Sequence, residues 1–368
     1  MDVLLCLSIN INVVYFIMVK RCSVCNLPES YPDITFNSEG ECNYCTAVRE
    51  HYQYPGFEAL KRDIDKILSQ SSPDRKYDCV VGLSGGRDSS YLLYYAKEVL
   101  HLNVLALSVE HDFMPPQTRQ NIKTIVEKLG VDIHYIKNDA LNKASRACVR
   151  SWAKKPDVAM CATFCTGCRY GLKKLIPEHV KKVGAPLMLI GDSPFEAMDY
   201  RVKLLCDGKA ETTKNKMIGY AKRLFKNPSY FSSFNSLYYQ AQDFVSWENA
   251  KGNVIPTRIQ PFYYIEWKKD EVLSKIKALG WGYDQSFNST WRSDCYINML
   301  RQFFYKKALG YNDTDVYYAQ LLRDKEIDRS EALKCIQEEG DFSEDAIRTV
   351  LKDFYDVDLN DVLRRMKK

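Results

Sequence analysis

The chain has 368 residues, 46% hydrophobic and 27% charged, with 52 basic against 47 acidic side chains and a net charge of +5. This is the balance of a globular protein large enough to bury a core unaided, and it excludes a disordered chain. The basic excess is too small to argue for nucleic acid by itself, and 13 cysteines, many in short clusters, point to metal or redox chemistry rather than a disulfide framework.

The chain opens on an apolar run from Val3 to Val19, interrupted by Ser8, Asn10 and Asn12. Asp2 stands where a signal peptide carries positive charge, and the run, about 17 residues, barely reaches membrane-spanning length. We read residues 1–19 as an upstream extension, with Met18 an alternative start. We expect no stable membrane insertion and a cytoplasmic location.

Residues 20–50 are dense in Cys, Pro, Gly and Asn and read as a metal-held knuckle. Cys22-x2-Cys25 and Cys42-x2-Cys45 have the spacing of a tetrahedral Zn2+ site with four protein thiolates and no open position. The alternative is a set of reduced surface thiols.

From 51 to 267, strands and helices alternate. Phe57, Leu60, Ile64, Ile67 and Leu68 recur at helical spacing. Residues 77–83 form a buried strand, and a helix resumes from Ser89 to Leu100. Strands at 102–109, 131–136 and 186–191 and a helix at 117–129 complete a pattern that implies a parallel sheet with crossovers. Residues 200–260, rich in Lys, Tyr, Phe, Ser and Asn, read as an irregular insertion or lid. From 268 to 368 the pattern is helical, with Ser330 and Ser343 placed ahead of acidic first turns as caps. Lys203, Lys209, Lys214, Lys216, Lys222, Arg223 and Lys226 crowd one stretch, either a solvated face or a patch for an anionic partner.

The sharpest signal is the run Val80-Val-Gly-Leu-Ser-Gly-Gly-Arg-Asp-Ser-Ser90. A strand ends, Gly85 and Gly86 allow close backbone approach to an anion, and helix-start N–H groups follow at once. Ser84, Ser89 and Ser90 can donate to phosphate oxygens, Arg87 can add charge, and Asp88 suits Mg2+. The Walker ending and the dinucleotide spacing are both missing. Asp192, in Gly191-Asp-Ser-Pro-Phe-Glu196, follows a strand and is a second metal-ligand candidate, or a helix cap.

A second cysteine group, Cys161-x3-Cys165-x2-Cys168, precedes the strand at Leu187, and Cys295 is a distant third partner for Cys165 and Cys168. Three thiolates with one open site can hold a [4Fe-4S] cluster. A second zinc, buried thiols and nucleophilic thiols are the other readings.

The strand, Ser84-Gly-Gly-x-Asp88-Ser89 and helix resemble the PP-loop of the N-type ATP pyrophosphatases, which share an adenine-nucleotide α-hydrolase-like fold. The resemblance implies an α/β parallel-sheet core, ATP split between its α- and β-phosphates, pyrophosphate on residues 84–89, and Leu107 and Ser108 near the adenosine. From Lys20 onward the chain further resembles the N-acetyl sugar amidotransferases of lipopolysaccharide and nonulosonic acid biosynthesis. The matching pieces are Arg21-Cys22-x2-Cys25, Pro32-x-Ile34-x-Phe36, Cys165-Thr-Gly-Cys168-Arg-x-Gly171, Leu279-Gly-Trp281, Lys306-Lys-Ala-Leu-Gly310 and Arg329-x-Glu331-Ala-Leu. That resemblance implies AMP transfer to the N-acetyl oxygen of a nucleotide sugar, with ammonia from a separate glutaminase. Cys295 departs from this pattern. The three-cysteine arrangement is similar instead to iron–sulfur tRNA thiolases of the same superfamily, for which the lysine-rich stretch would meet tRNA. A non-catalytic nucleotide-binding protein is the third reading.

Overall fold

The structure, a computed structural model, describes residues 20–47, 50–231, 238, 257–285 and 289–367. The expected extension at 1–19 lies outside the described residues.

Five strands form one parallel sheet: β1 (Cys79–Gly82), β2 (Val104–Glu110), β3 (Asp132–Lys137), β4 (Leu187–Leu189) and β5 (Thr257–Ile259), in the order β3-β2-β1-β4-β5. Successive residues of a strand face opposite sides of the sheet. Val81, Ala106 and Leu189 therefore pack with Leu60, Leu92, Ile122 and Ile276 on one face. Val80, Leu105 and Met188 pack with Ile176 and Val180 on the other. Burial on both faces is why the strands read as unbroken apolar runs.

The helices that alternate with these strands are α1 (Phe57–Ser69), α2 (Arg87–Tyr94), α3 (Pro116–Leu129), α4 (Asp139–Lys154), α5 (Thr166–Tyr170) and α6 (Ile176–Val183). After β3 the chain returns to the other side of β1, so β4 pairs with β1 and Leu189 lies opposite Val81. The strand order reverses there. The C-terminal ends of β1 and β4 thus flank a topological switch point, where open α/β sheets bind ligands.

Of the irregular insertion expected at 200–260, the described residues hold regular structure. Two helices, α7 (Tyr200–Leu205) and α8 (Thr213–Lys226), precede the edge strand β5. The Thr212 hydroxyl accepts from Asn215 N at 3.2 Å and starts α8. Most of residues 232–256 lie outside the described residues. The lysine-rich stretch is partly neutralised within the protein. Lys203 meets Asp33 at 3.0 Å, Lys222 meets Asp207 at 2.8 Å, and buried Arg223 pairs with Asp157 and Asp207.

The C-terminal region is helical: α9 (Lys269–Ala278), α10 (Tyr296–Leu309), α11 (Asp313–Asp324), α12 (Arg329–Glu339), α13 (Glu344–Tyr355) and α14 (Leu359–Met366). Asn312 and Asp315 form a reciprocal cap on α11. Ser343 caps α13 as expected, whereas α12 is capped by Asp328, not Ser330, because the Asp328 carboxylate accepts from Glu331 N at 2.9 Å. Helices α10 to α14 share one core with α4 and the N-terminal knuckle, whereas α9 packs on the sheet. Arg21 donates to Gly310 O at 2.7 Å, and the Tyr31 ring lies 5.3 Å from that of Tyr311.

Candidate active site

The loop between β1 and α2 is clamped from beneath. Gly85 has φ +80°, and a Cβ there would lie 2.6 Å from Thr118 O. Glycine is required on both counts. Gly85 O accepts from Asn121 Nδ2 at 3.1 Å and Trp281 Nε1 at 3.0 Å, which ties the turn to α3 and the segment after α9. Ser84 and Ser89 hydroxyls lie 3.0 Å apart, and the Ser90 hydroxyl is buried without a partner. A buried hydroxyl left unpaired is costly unless a ligand supplies the bond. The Ser108 hydroxyl, on β2, is likewise buried and unpaired. Leu107 is buried in the sheet core.

Arg87 does not face the loop's open side. It is 3% exposed, its Nη1 lies 3.3 Å from both Glu339 Oε1 and Thr290 Oγ1, and its guanidinium stacks 4.6 Å above the Trp267 ring. Its Nε reaches Asp88 Oδ1 at 3.3 Å.

Four carboxylates border the crevice: Asp88, Asp192, Glu196 and Asp294. Gly191, after β4, lies against the start of α2, its Cβ position 3.5 Å from Asp88 O. Asp294 lies against Gly86, where a Cβ would meet its Oδ2 at 2.9 Å, and burial raises its carboxyl, opposed by the nearby Ser84 hydroxyl. Burial raises the Asp192 carboxyl, opposed by Arg292 and Gln260. Burial also pushes Glu196 up to about 7, opposed by Arg292, with Asp88 and Asp192 adding to the rise. Arg292 bonds Glu196 Oε2 at 3.1 Å. Among the described residues these carboxylates do not close to within 4.8 Å in a group of three, as the knuckle thiols do. They are oxygen donors around a crevice rather than a preformed ion cage.

The structure brings Cys165, Cys168 and Cys295 into one neighbourhood beside Asp294, with Arg301 Nη1 3.3 Å from Cys165 Sγ. Burial pushes the Cys168 thiol up to about 12, and burial with Cys165, Cys168 and Asp294 nearby carries Cys295 well upward. Arg301 also touches Asp313, a fully buried carboxylate that gathers Arg201, Arg292, Tyr200 and Gln302. Those cations hold the Asp313 carboxyl well below the usual range despite its burial. Asp313 thereby connects the thiols, through Arg301, to the acidic crevice, through Arg292. Cys161 is fully buried in the helical core, against which Cys165, Cys168 and Cys295 also pack.

The knuckle is closed. Its four sulfurs all lie within 4.8 Å of one another, and three amides, of Val24, Cys25 and Cys42, point at Cys22 Sγ at 3.2 to 3.4 Å. Thiols packed this tightly, with amides aimed at one of them, could hold a metal ion.

Sequence reasoning passed over Glu196, Arg292, Asp294, Arg301 and Asp313 as site residues. Glu196 stood inside a motif already singled out and Asp294 directly precedes Cys295, and their nearness to the loop is the signal that only the fold supplies.

Residues 59–164 match the family model described as NAD synthase. The match spans the loop and the first three strands. Two uncharacterized proteins of Methanocaldococcus jannaschii are each 26% identical to the chain. One aligns over 121 residues, 32% of this chain and 43% of the relative, and the other over 141 residues, 37% and 50%. The chain thus spans about half the length, or less, of these curated relatives. Among solved structures, an NMN synthetase from Francisella tularensis overlaps with TM-score 0.36 at 14% identity, covering 76% of this chain and 91% of that one. An NH3-dependent NAD synthetase from Campylobacter jejuni gives 0.29 at 14%, covering 54% and 94%. A U34-tRNA thiolase from Methanococcus maripaludis, with its [4Fe-4S] cluster, gives 0.31 at 15%, covering 93% and 99%. Overlaps of this size carry no functional argument. The fold is the parallel α/β core expected from the loop, with an N-terminal four-cysteine knuckle and a helical C-terminal region.

Proposed function

We propose that the chain is an ATP-dependent, AMP-forming enzyme that adenylates a carbonyl oxygen and then exchanges that oxygen for an incoming nucleophile. The observation that carries this reading is the clamped Ser84–Gly85–Gly86 turn at the switch point, with an unpaired buried Ser90 hydroxyl and carboxylates around it. In the first step the carbonyl oxygen bonds to the α-phosphorus and the bond to the β-phosphate oxygen breaks. The amides and hydroxyls of residues 84–90 would hold the departing pyrophosphate. Asp88 and Asp192 would hold Mg2+, whose chemistry is to neutralise charge on the phosphate oxygens. Leu107 and Ser108 would lie on the adenosine side. Arg87, already matched by Glu339, would brace the loop rather than touch phosphate.

In the second step the nucleophile adds to the activated carbon and AMP leaves with the former carbonyl oxygen. We take the nucleophile to be ammonia, supplied by a separate glutaminase, and the acceptor to be the N-acetyl group of a nucleotide sugar. The ordered motifs from Arg21 to Leu333 support this choice. Glu196, whose carboxyl is pushed up to about 7, is a candidate to take the proton that nitrogen loses.

One observation favours a second reading, sulfur insertion into tRNA or a small molecule. Cys165 and Cys168 lie near Cys295 beside Asp294, with Arg301 on Cys165, a thiol group open enough to take a [4Fe-4S] cluster rather than one closed within 4.8 Å as in the knuckle. Such a cluster would supply an iron free of protein thiolate for sulfur chemistry.

The test is acceptor-dependent exchange of labelled pyrophosphate into ATP, alongside zinc, iron and acid-labile sulfide content of protein purified without oxygen. Exchange with one zinc and no iron supports ammonia transfer. About four irons with sulfide, lost on Cys295→Ser, would make this a sulfur-inserting enzyme. No exchange with any nucleotide sugar or tRNA would leave only nucleotide binding.

A further inference from the structure

A separate cavity of about 320 Å³ lies on the far side of the loop that follows β4. Its walls are aromatic: Tyr54, Phe195, Trp267, Tyr317 and Tyr318. Its charge is lopsided, with five carboxylates against Lys268 and Lys269. Both lysines are already engaged, Lys268 with Glu266 at 2.9 Å and Lys269 with buried Glu339 at 3.3 Å. The Ser193 hydroxyl lines the same cavity, is only 5% exposed, and has no hydrogen-bond partner.

We propose that this cavity binds a protonated primary amine. Aromatic faces attract a cation through their quadrupole, and surplus carboxylates, four of them exposed around the rim and Glu326 half-buried, favour the same sign of ligand. The volume falls in the range of small-molecule sites. Ser193 selects among cations. An unpaired buried hydroxyl is satisfied by an N–H donor, which a primary ammonium has and a quaternary one lacks. Glu326 points the same way. Burial, with Glu266 and Asp324 close by, raises its carboxyl, a strain that a cation in the cavity relieves.

The position gives the site meaning. Ser193 and Phe195 face the cavity while Asp192 and Glu196, in the same short loop, border the crevice. Trp267 lines the cavity and also carries Arg87 on its ring. An amine held here would sit one loop away from the phosphate loop, in a compartment of its own. The inference does not depend on which nucleophile or acceptor the crevice uses.

The test titrates the full chain, without ATP, with ethanolamine and putrescine. Ethylene glycol and 1,4-butanediol serve as neutral counterparts and NaCl as the ionic-strength control. Trp fluorescence and melting temperature are the readouts. Saturable responses to the amines alone are expected. Glu326→Gln should weaken amine binding about fivefold or more. Trp267→Phe should remove the fluorescence change while the melting shift persists. Amines that act no more strongly than NaCl, diols that bind equally well, or a folded Glu326→Gln protein that binds amine unchanged would each overturn the proposal.

Discussion

Arg87 and Glu339, 252 residues apart, form a buried ion pair with Nη1 3.3 Å from Oε1. The residue that begins the helix after the phosphate loop is thus bonded to the last residue of α12. Glu339 receives further bonds from Tyr318 and Thr290, and its carboxyl is held below its usual range although burial alone would raise it. Glu339→Leu would leave the buried Arg87 guanidinium with Asp88 as its remaining ion-pair partner. We expect a loss of about 3 kcal/mol, the usual scale for breaking a buried pair, read from urea unfolding. The double change Arg87→Met with Glu339→Leu removes both charges and should recover most of it. A double variant as unstable as the single one would show that shape, not charge, holds the loop.

Gly85→Ala tests the clamp. The new methyl would need both a positive φ and space now held by Thr118 O, 2.6 Å from the Cβ position. We expect a stability loss of about 1–3 kcal/mol and, on the proposed reading, pyrophosphate exchange reduced about a hundredfold or more. Gly130→Ala is the control. It too has positive φ but open space around its Cβ, so it should cost stability without a comparable loss of exchange.

How far the sequence carried this picture depends on chain distance. The loop was legible because strand, turn and helix are contiguous, and each residue there has one local job. The knuckle was legible because two Cys-x2-Cys pairs encode their own geometry. Cys295 could be named as a partner of Cys165 and Cys168, but only the packing of α10 against the segment before α5 brings them together. Arg87 was misleading for the opposite reason. A cation beside a phosphate loop suggests an anion contact, and nothing local reveals Glu339. Asp313 was silent as well, since its partners Arg201, Arg292 and Arg301 are scattered over a hundred positions. β5 was missed because it is three residues long and two of them are exposed.

Metal removal should separate the knuckle from the sheet. The four thiols hold the turns that carry Arg21 and Tyr31 onto the C-terminal helices. Stripping with a strong chelator, or Cys25→Ser, should release about one zinc per chain and lower the melting temperature by several degrees or more. Hydrogen exchange should rise first in residues 20–47 and in α10 and α11, while β1 and β2 stay protected. Equal loss of protection across the sheet would mean that the knuckle and core unfold as one unit.

Two groups, His111 and Glu196, contribute to the acid response of the fold with opposite signs. Burial and Arg119 depress His111 from 6.5 to about 4, Asp112 only partly offsetting them, so its contribution to stability is present above pH 6.5 and is lost as pH falls toward 4. Burial raises Glu196 from 4.5 to about 7, so its contribution is present below pH 4.5 and is lost as pH rises toward 7. Between pH 4.5 and 6.5 the two slopes, each about 1.4 kcal/mol per pH unit at most, oppose one another. Urea unfolding of the unmodified protein should therefore show little net dependence on pH from these groups. Glu196→Gln should unmask stability that rises with pH across this window, and His111→Asn stability that falls. Parallel pH profiles for the two variants would mean that neither group is held away from its ordinary titration range.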